Sequence, residues 1–151
     1  QKGDPKDPVW KRGEFFGSLE QVKYNVAKYR INNIEYIKGF YENSLTEELA
    51  EKMKEYPPSI IYIDVDMYSS TITVLNWIDK IALPGTIIYF DDVWGTGNHP
   101  ESGEQKAIIE YNALNTTRCF LTEDPTSYGS KTVFRFLLKD PEKNAQFKGY
   151  E

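Results

Sequence analysis

The chain has 151 residues, a formal charge of -5 and a pI near 5.0. This length accommodates one domain with a real core, yet it is short for a complete cofactor-dependent α/β enzyme. An acidic balance without a sustained Lys/Arg stripe argues against a nucleic-acid or membrane surface and favours a small polar partner. The single cysteine, Cys119, cannot form an intrachain disulfide. With a polar, proline-containing start and no apolar run of transmembrane length, that predicts a cytoplasmic protein with no membrane partner.

In chain order, residues 1–16 read as a Lys/Asp/Pro/Gly loop, 17–138 as an α/β core and 139–151 as a polar tail of one incomplete domain. Ser18-Leu19-Glu20-Gln21 is a capping-box helix start, and Leu19, Val22, Val26 and Tyr29 then share one helical face. Asn32-Asn33 breaks that helix, and 34–40 is predicted to be a strand. Ser44-Leu45-Thr46-Glu47 opens a second helix with Leu45, Leu49 and Met53 inward, and Pro57-Pro58 ends it. The apolar run Ser59-Ile60-Ile61-Tyr62-Ile63 reads as a buried strand. A helix over 70–82, with Val74, Leu75, Ile78 and Ile81 as its stripe, leads through Pro84-Gly85 to a second buried strand, Thr86-Ile87-Ile88-Tyr89-Phe90. A Gly/Asn/Pro-rich loop follows Trp94, and Ser102 to Gln105 opens a helix buried through Ala107, Ile108, Tyr111 and Leu114. Strands at 118–123 and 131–138 flank the turn signals Asp124-Pro125 and Tyr128-Gly129. This order predicts a doubly wound α/β sheet with an antiparallel carboxy-terminal edge.

Each buried run ends in acids, Asp64-Val65-Asp66 after the first and Asp91-Asp92 after the second. In open α/β sheets, ligands bind outside the carboxyl ends of the strands, so acids at two adjacent strand ends face one crevice. Carboxylates gathered there repel one another unless a cation lies between them, and hard divalent ions favour such oxygen ligands. Acids in these positions also terminate strands and cap helices without binding anything.

With these acids, the Met67-Tyr68-Ser69-Ser70-Thr71 continuation, Pro84-Gly85 before the second strand and Gly17-Ser18-Leu19-Glu20-Gln21-Val22 in view, the chain resembles the macrocin-type sugar O-methyltransferases. That family includes the mycinamicin and novobiocin sugar methyltransferases, and the resemblance covers residues 14–138. It implies the class I, Rossmann-like methyltransferase fold, S-adenosylmethionine as cofactor and Mg²⁺ as metal. Carried over residue by residue, it makes Asp64, Asp91 and Asp92 the Mg²⁺ ligands and Asp66 the general base for a sugar hydroxyl. It places Ser18, Gly39, Phe40, Tyr41 and Asp64 near the cofactor, and it implies a small sugar-containing substrate. Catechol-type relatives carry lysine three residues after the first acid, where this chain has Met67. The family's first two strands, with their glycine-rich turn, have no counterpart before Ser18, so the sheet is expected to lack them.

Other residues divide between plain and chemical roles. His99, the only histidine, follows the second acid pair in a loop and is either solvated or a catalytic contact. Trp94 is either core or an apolar wall for a sugar face. Tyr68 and Ser69 read best as a helix start, and Cys119 as strand interior. Three other functional classes compete: an aspartate-nucleophile phosphotransferase of the haloacid dehalogenase type, suggested by the Asp-x-Asp spacing; a metal-dependent glycosyltransferase; and a non-catalytic fragment. The sequence leaves oligomeric state open, a homo-oligomer included.

Overall fold

The two Ile-Ile-Tyr-aromatic/aliphatic runs, β1 (Ile60–Ile63) and β2 (Ile87–Phe90), pair in parallel, with Ile63 opposite Phe90. The computed structural model describes residues 17–94, 101–114, 118–121, 132–138 and 140. Its remaining elements are α1 (Leu19–Lys28), α2 (Tyr41–Ser44), α3 (Glu47–Lys54), α4 (Tyr68–Ile78), α5 (Gly103–Leu114), β3 (Arg118–Leu121) and β4 (Thr132–Leu138). The described strands form one four-stranded sheet in the order β1-β2-β4-β3. β4 runs antiparallel to both β2 and β3. This is a mixed α/β architecture with the antiparallel carboxy-terminal edge that the pattern predicts.

A parallel pair needs a crossover, which α4 supplies between β1 and β2. Leu75, Ile78, Ile81 and Ala82 from this crossover pack with Ile63, Ile88, Phe90, Phe134 and Phe136 of the sheet and with Ala107, Ile108 and Tyr111 of α5. Phe90 and Phe134 meet edge to face with centroids 5.3 Å apart. Gly85, at φ 96°, takes the left-handed conformation the turn into β2 requires, and its N–H donates to the Phe136 carbonyl at 2.8 Å. Arg118 of β3 donates to the carbonyls of Asp79 and Ala82, tying the end of the crossover to the sheet's far edge.

Several expectations change. The segment 34–40 forms no strand, and Ile34 and Ile37 are exposed. An extended segment becomes a strand only by pairing, and no described strand lies beside this one. Among the described strands β1 likewise lies at the edge and is not buried: Ile60 is 71% and Tyr62 59% exposed. The apolar face of α1 exists, but the helix buries no residue. Leu114 at the end of α5 is exposed as well. The helix over 70–82 begins at Tyr68 and its regular part ends at Ile78.

The helix expected from Ser44 is divided. Ser44 closes the short α2, with its Oγ donating to the Phe40 carbonyl, whereas Thr46 caps α3 by accepting from Leu49 N at 3.2 Å. The Thr46 carbonyl also accepts from Trp77 Nε1 at 2.9 Å, so the cap fixes α3 against α4. Thr46→Ala removes only the side-chain cap and is expected to lower stability by about 1 kcal/mol. A urea midpoint unchanged from wild type would show that α3 does not depend on it.

Candidate functional site

The parallel pairing of β1 and β2 brings both acid-bearing turns to one end of the sheet. Oxygens of Asp64, Asp91 and Asp92 all lie within 4.8 Å of one another. Two ligands across one hard cation are separated by about twice the metal–oxygen bond, about 4 to 5 Å for Mg²⁺ or Ca²⁺. The three carboxylates therefore have both the donor chemistry and the spacing to hold a divalent ion, although exposed acids also cluster without one.

Asp66 stands beside this group in an unusual conformation. Its φ is 56°, in the left-handed region that a non-glycine residue seldom adopts and that Asp tolerates better than most. The turn is tight, with Met67 N donating to the Val65 carbonyl at 2.5 Å. Burial, a hydrogen bond with Asp92 and the charges of Asp92, Asp64 and Asp91 push the Asp66 carboxyl up to about 6. A carboxylate so raised is a better proton acceptor near neutral pH than an ordinary one. Local strain at such a position is a common property of functional residues.

Two residues with no local signal in the sequence hold the acids in place. Tyr62, cross-strand from Tyr89 and stacked on it with centroids 5.0 Å apart, donates its hydroxyl to Asp91 Oδ1 at 2.5 Å. That hydrogen bond, then burial and the charges of Asp91 and Asp64, raise the phenol well above its usual value and keep it protonated as a donor. Glu104, in the first turn of α5, is fully buried. Its two carboxylate oxygens accept separately from Val65 N at 3.4 Å and Asp92 N at 3.3 Å. Burial raises its carboxyl to about 7 despite these two amides, whose hydrogen bonds act in the opposite direction. In the sequence, Tyr62 is one more aromatic in an apolar run and Glu104 one more acid at a helix start, so neither carries a local signal.

Tyr62→Phe keeps the stacked ring and removes only the hydroxyl. Outer partners of metal ligands commonly contribute 10- to 100-fold in affinity, so if the three acids hold Mn²⁺ its affinity is expected to fall by about tenfold with the fold intact. Calorimetric titration of both proteins checks this. Equal affinities would show that Asp91 needs no help from Tyr62.

The residues assigned by resemblance to the cofactor are dispersed. Tyr41 and Asp64 border one cavity of about 450 Å³ that is also lined by β1, with Leu45, Met53, Ile61 and Trp77 among its apolar walls. Burial, followed by the charges of Asp64 and Asp66, raises the Tyr41 phenol. Phe40 is exposed as the N-cap residue of α2, and a side-chain carbon on Gly39 would lie 3.2 Å from Ser44 Cβ, a close approach that favours glycine. Ser18 is occupied locally as the cap of α1, accepting from Gln21 N at 3.1 Å. Trp94 is 60% exposed, which excludes the core alternative for it. Tyr68 opens α4 and donates to Glu110 at 2.5 Å, in keeping with a helix start. The backbone of Cys119 lies in β3, opposite Leu137. His99 lies outside the described residues.

The chain is similar in structure to CalS11, a calicheamicin methyltransferase, with a TM-score of 0.50 and 22% identity over 65% of this chain and 35% of that one. A second structure, of apo CalS11, described as a TDP-rhamnose 3'-O-methyltransferase, gives a TM-score of 0.49 and 22% identity over 65% of this chain and 39% of that one. This chain thus spans little more than a third of the structures it resembles. At this identity the likeness to the first structure establishes a shared fold, that of a methyltransferase structure. No protein-family model and no curated protein matches the chain. Among the described residues, no helix is long and apolar enough to cross a membrane.

Proposed function

We propose that this chain is the metal-site portion of an S-adenosylmethionine-dependent O-methyltransferase that acts, with a divalent cation such as Mg²⁺, on a sugar hydroxyl of a small molecule in the cytoplasm. The observation that carries the reading is the convergence of Asp64, Asp91 and Asp92 within 4.8 Å at the carboxyl ends of two adjacent parallel strands. The likeness in fold to a methyltransferase structure supports it. We take the macrocin-type family and the doubly wound class I fold as part of the same reading, with Trp94 as the exposed apolar surface available to a sugar face and His99 as a second catalytic contact.

A bound divalent cation would make an adjacent acceptor hydroxyl easier to deprotonate. Asp66, beside the cluster, accepts that proton. S-adenosylmethionine, when bound, would supply the methyl group to that oxygen, with the C–S bond broken as the C–O bond is made and S-adenosylhomocysteine as the product. Ser18, Gly39, Phe40, Tyr41 and Asp64 are the residues through which this chain would contribute to holding the cofactor. Of these, Tyr41 and Asp64 border a common cavity.

The test is S-adenosylhomocysteine release by the natural full-length protein, incubated with S-adenosylmethionine and a panel of nucleotide sugars, with Mg²⁺ or with chelator. Metal-dependent release with a sugar acceptor is expected. Release that persists in chelator would remove the metal from the mechanism. Phosphate release from sugar phosphates without methyl transfer would favour the phosphotransferase alternative, and absence of both activities would favour a non-catalytic role.

A further inference from the structure

The buried acid Glu104 has no part in the chemistry proposed above, yet it joins the two turns on which that chemistry depends. Asp64 and Asp66 follow β1, whereas Asp91 and Asp92 follow β2, and the strand ladder stops at the Ile63–Phe90 pair, with one further bond from Asp91 N to the Ile63 carbonyl. Beyond that point, nothing in the parallel ladder fixes the separation of the turns. Glu104 reaches this place from α5, immediately after Gly103, whose φ of 59° marks the abrupt entry into the helix.

We propose that Glu104 is a positioning residue that sets the distance between the two acid-bearing turns by clamping the amides of Val65 and Asp92 with one carboxylate; this rests on the metal reading of the acid cluster. One oxygen takes each amide, at 3.4 and 3.3 Å. Glu104 is not one of the three residues whose oxygens converge within 4.8 Å, so it acts as a partner of the turns and not as a ligand. The carboxylate is the one common side-chain group with two equivalent acceptors at the required separation. Glutamine has the same shape but only one acceptor oxygen, and its NH₂ confronts the other amide N–H donor to donor. Glu104→Gln is therefore expected to release one turn from the other while leaving the surrounding core nearly unchanged in volume.

Two measurements on the metal-free and Mn²⁺-titrated protein at pH 8, above the range in which the folded chain holds the Glu104 proton, decide the matter. Amide hydrogen exchange, read residue by residue, is expected to show both Val65 N–H and Asp92 N–H protected in the wild type and at least one of them deprotected in E104Q, with β2 and β4 amides unaffected. Mn²⁺ affinity is expected to fall by about tenfold in E104Q, as for other partners that orient metal ligands, while the thermal midpoint moves by only a few degrees. A merely structural residue would lower midpoint and affinity together. Glu104→Leu, which fills the site and accepts nothing, is expected to deprotect both amides. Unchanged protection of both amides in E104Q and E104L overturns the proposal. If the wild type takes up no Mn²⁺, the metal reading fails, and the exchange data still decide whether Glu104 clamps the turns.

Discussion

Replacing Asp66 by Asn is expected to lower methyl transfer by about 10²- to 10⁴-fold, the usual contribution of a positioned general base, with Mg²⁺ affinity close to wild type. Asparagine suits the test for two reasons. It matches aspartate in shape without accepting a proton at neutral pH, and it tolerates the left-handed backbone that Asp66 adopts at φ 56°. Alanine there would add backbone strain to the chemical loss and obscure its origin. Asp64→Ala provides the contrast. Loss of one of three converging carboxylates weakens the site itself, so its turnover is expected to recover in part as Mg²⁺ is raised, whereas that of Asp66→Asn is not. The check is turnover against Mg²⁺ concentration in the natural full-length protein, with folding verified by circular dichroism. Undiminished turnover in Asp66→Asn would remove that residue from the role of base.

The second large effect is a loss of stability with rising pH in metal-free protein, opposite to the usual behaviour of surface carboxylates. Glu104 is raised from 4.5 to about 7 on folding, with burial as the first cause. Below the unfolded value, both states hold the proton and the stability is fully present. Between the two values, the unfolded chain has released its proton while the folded chain retains it, so each step up in pH favours unfolding. Stability is thus lost as pH rises through about 7. At about 1.4 kcal/mol per pH unit, the whole displacement corresponds to about 3 kcal/mol. Asp66, raised to about 6 with burial again the first cause, adds to the slope in the same direction. Urea titrations at intervals from pH 4.5 to 8 in chelator would measure it, and Glu104→Gln is expected to flatten most of the decline. A wild-type profile that rises over this range would show that Glu104 ionises normally in the folded chain.

These expectations depend differently on what can be read from residues alone. Isoleucine, tyrosine and phenylalanine runs ending in acids were enough to indicate β1 and β2, because β-branched and aromatic residues with no charge fit a pleated, packed surface. The helix-length stretch between them, ending at Pro84-Gly85, was enough to make the pair parallel, because a crossover is how parallel neighbours connect. From those two inferences the gathering of Asp64, Asp91 and Asp92 follows, since parallel neighbours place their carboxyl ends side by side. The apolar helical stripe of Leu75, Ile78 and Ile81 likewise marked the face that meets the core, as its 3.6-residue period requires.

The remaining features depend on how distant segments pack against one another. Whether an apolar run is central or marginal depends on what pairs with it, which is why β1 proved to be an edge, why 34–40 formed no strand and why α1 buried nothing. The left-handed turn at Asp66 is set by the path of the chain from β1 into α4, to which no glycine or proline in that turn draws attention. Tyr62 is separated from Asp91 by 29 residues and Glu104 from Val65 by 39. Contacts of that range leave no local period or motif, because they arise from the packing of whole elements. Which acids meet follows from the order of strand, helix and strand along the chain; how they are held follows from the packing of α5 and the cross-strand stacking of Tyr62 on Tyr89, because a hydrogen bond across the fold depends on distances that no single segment contains.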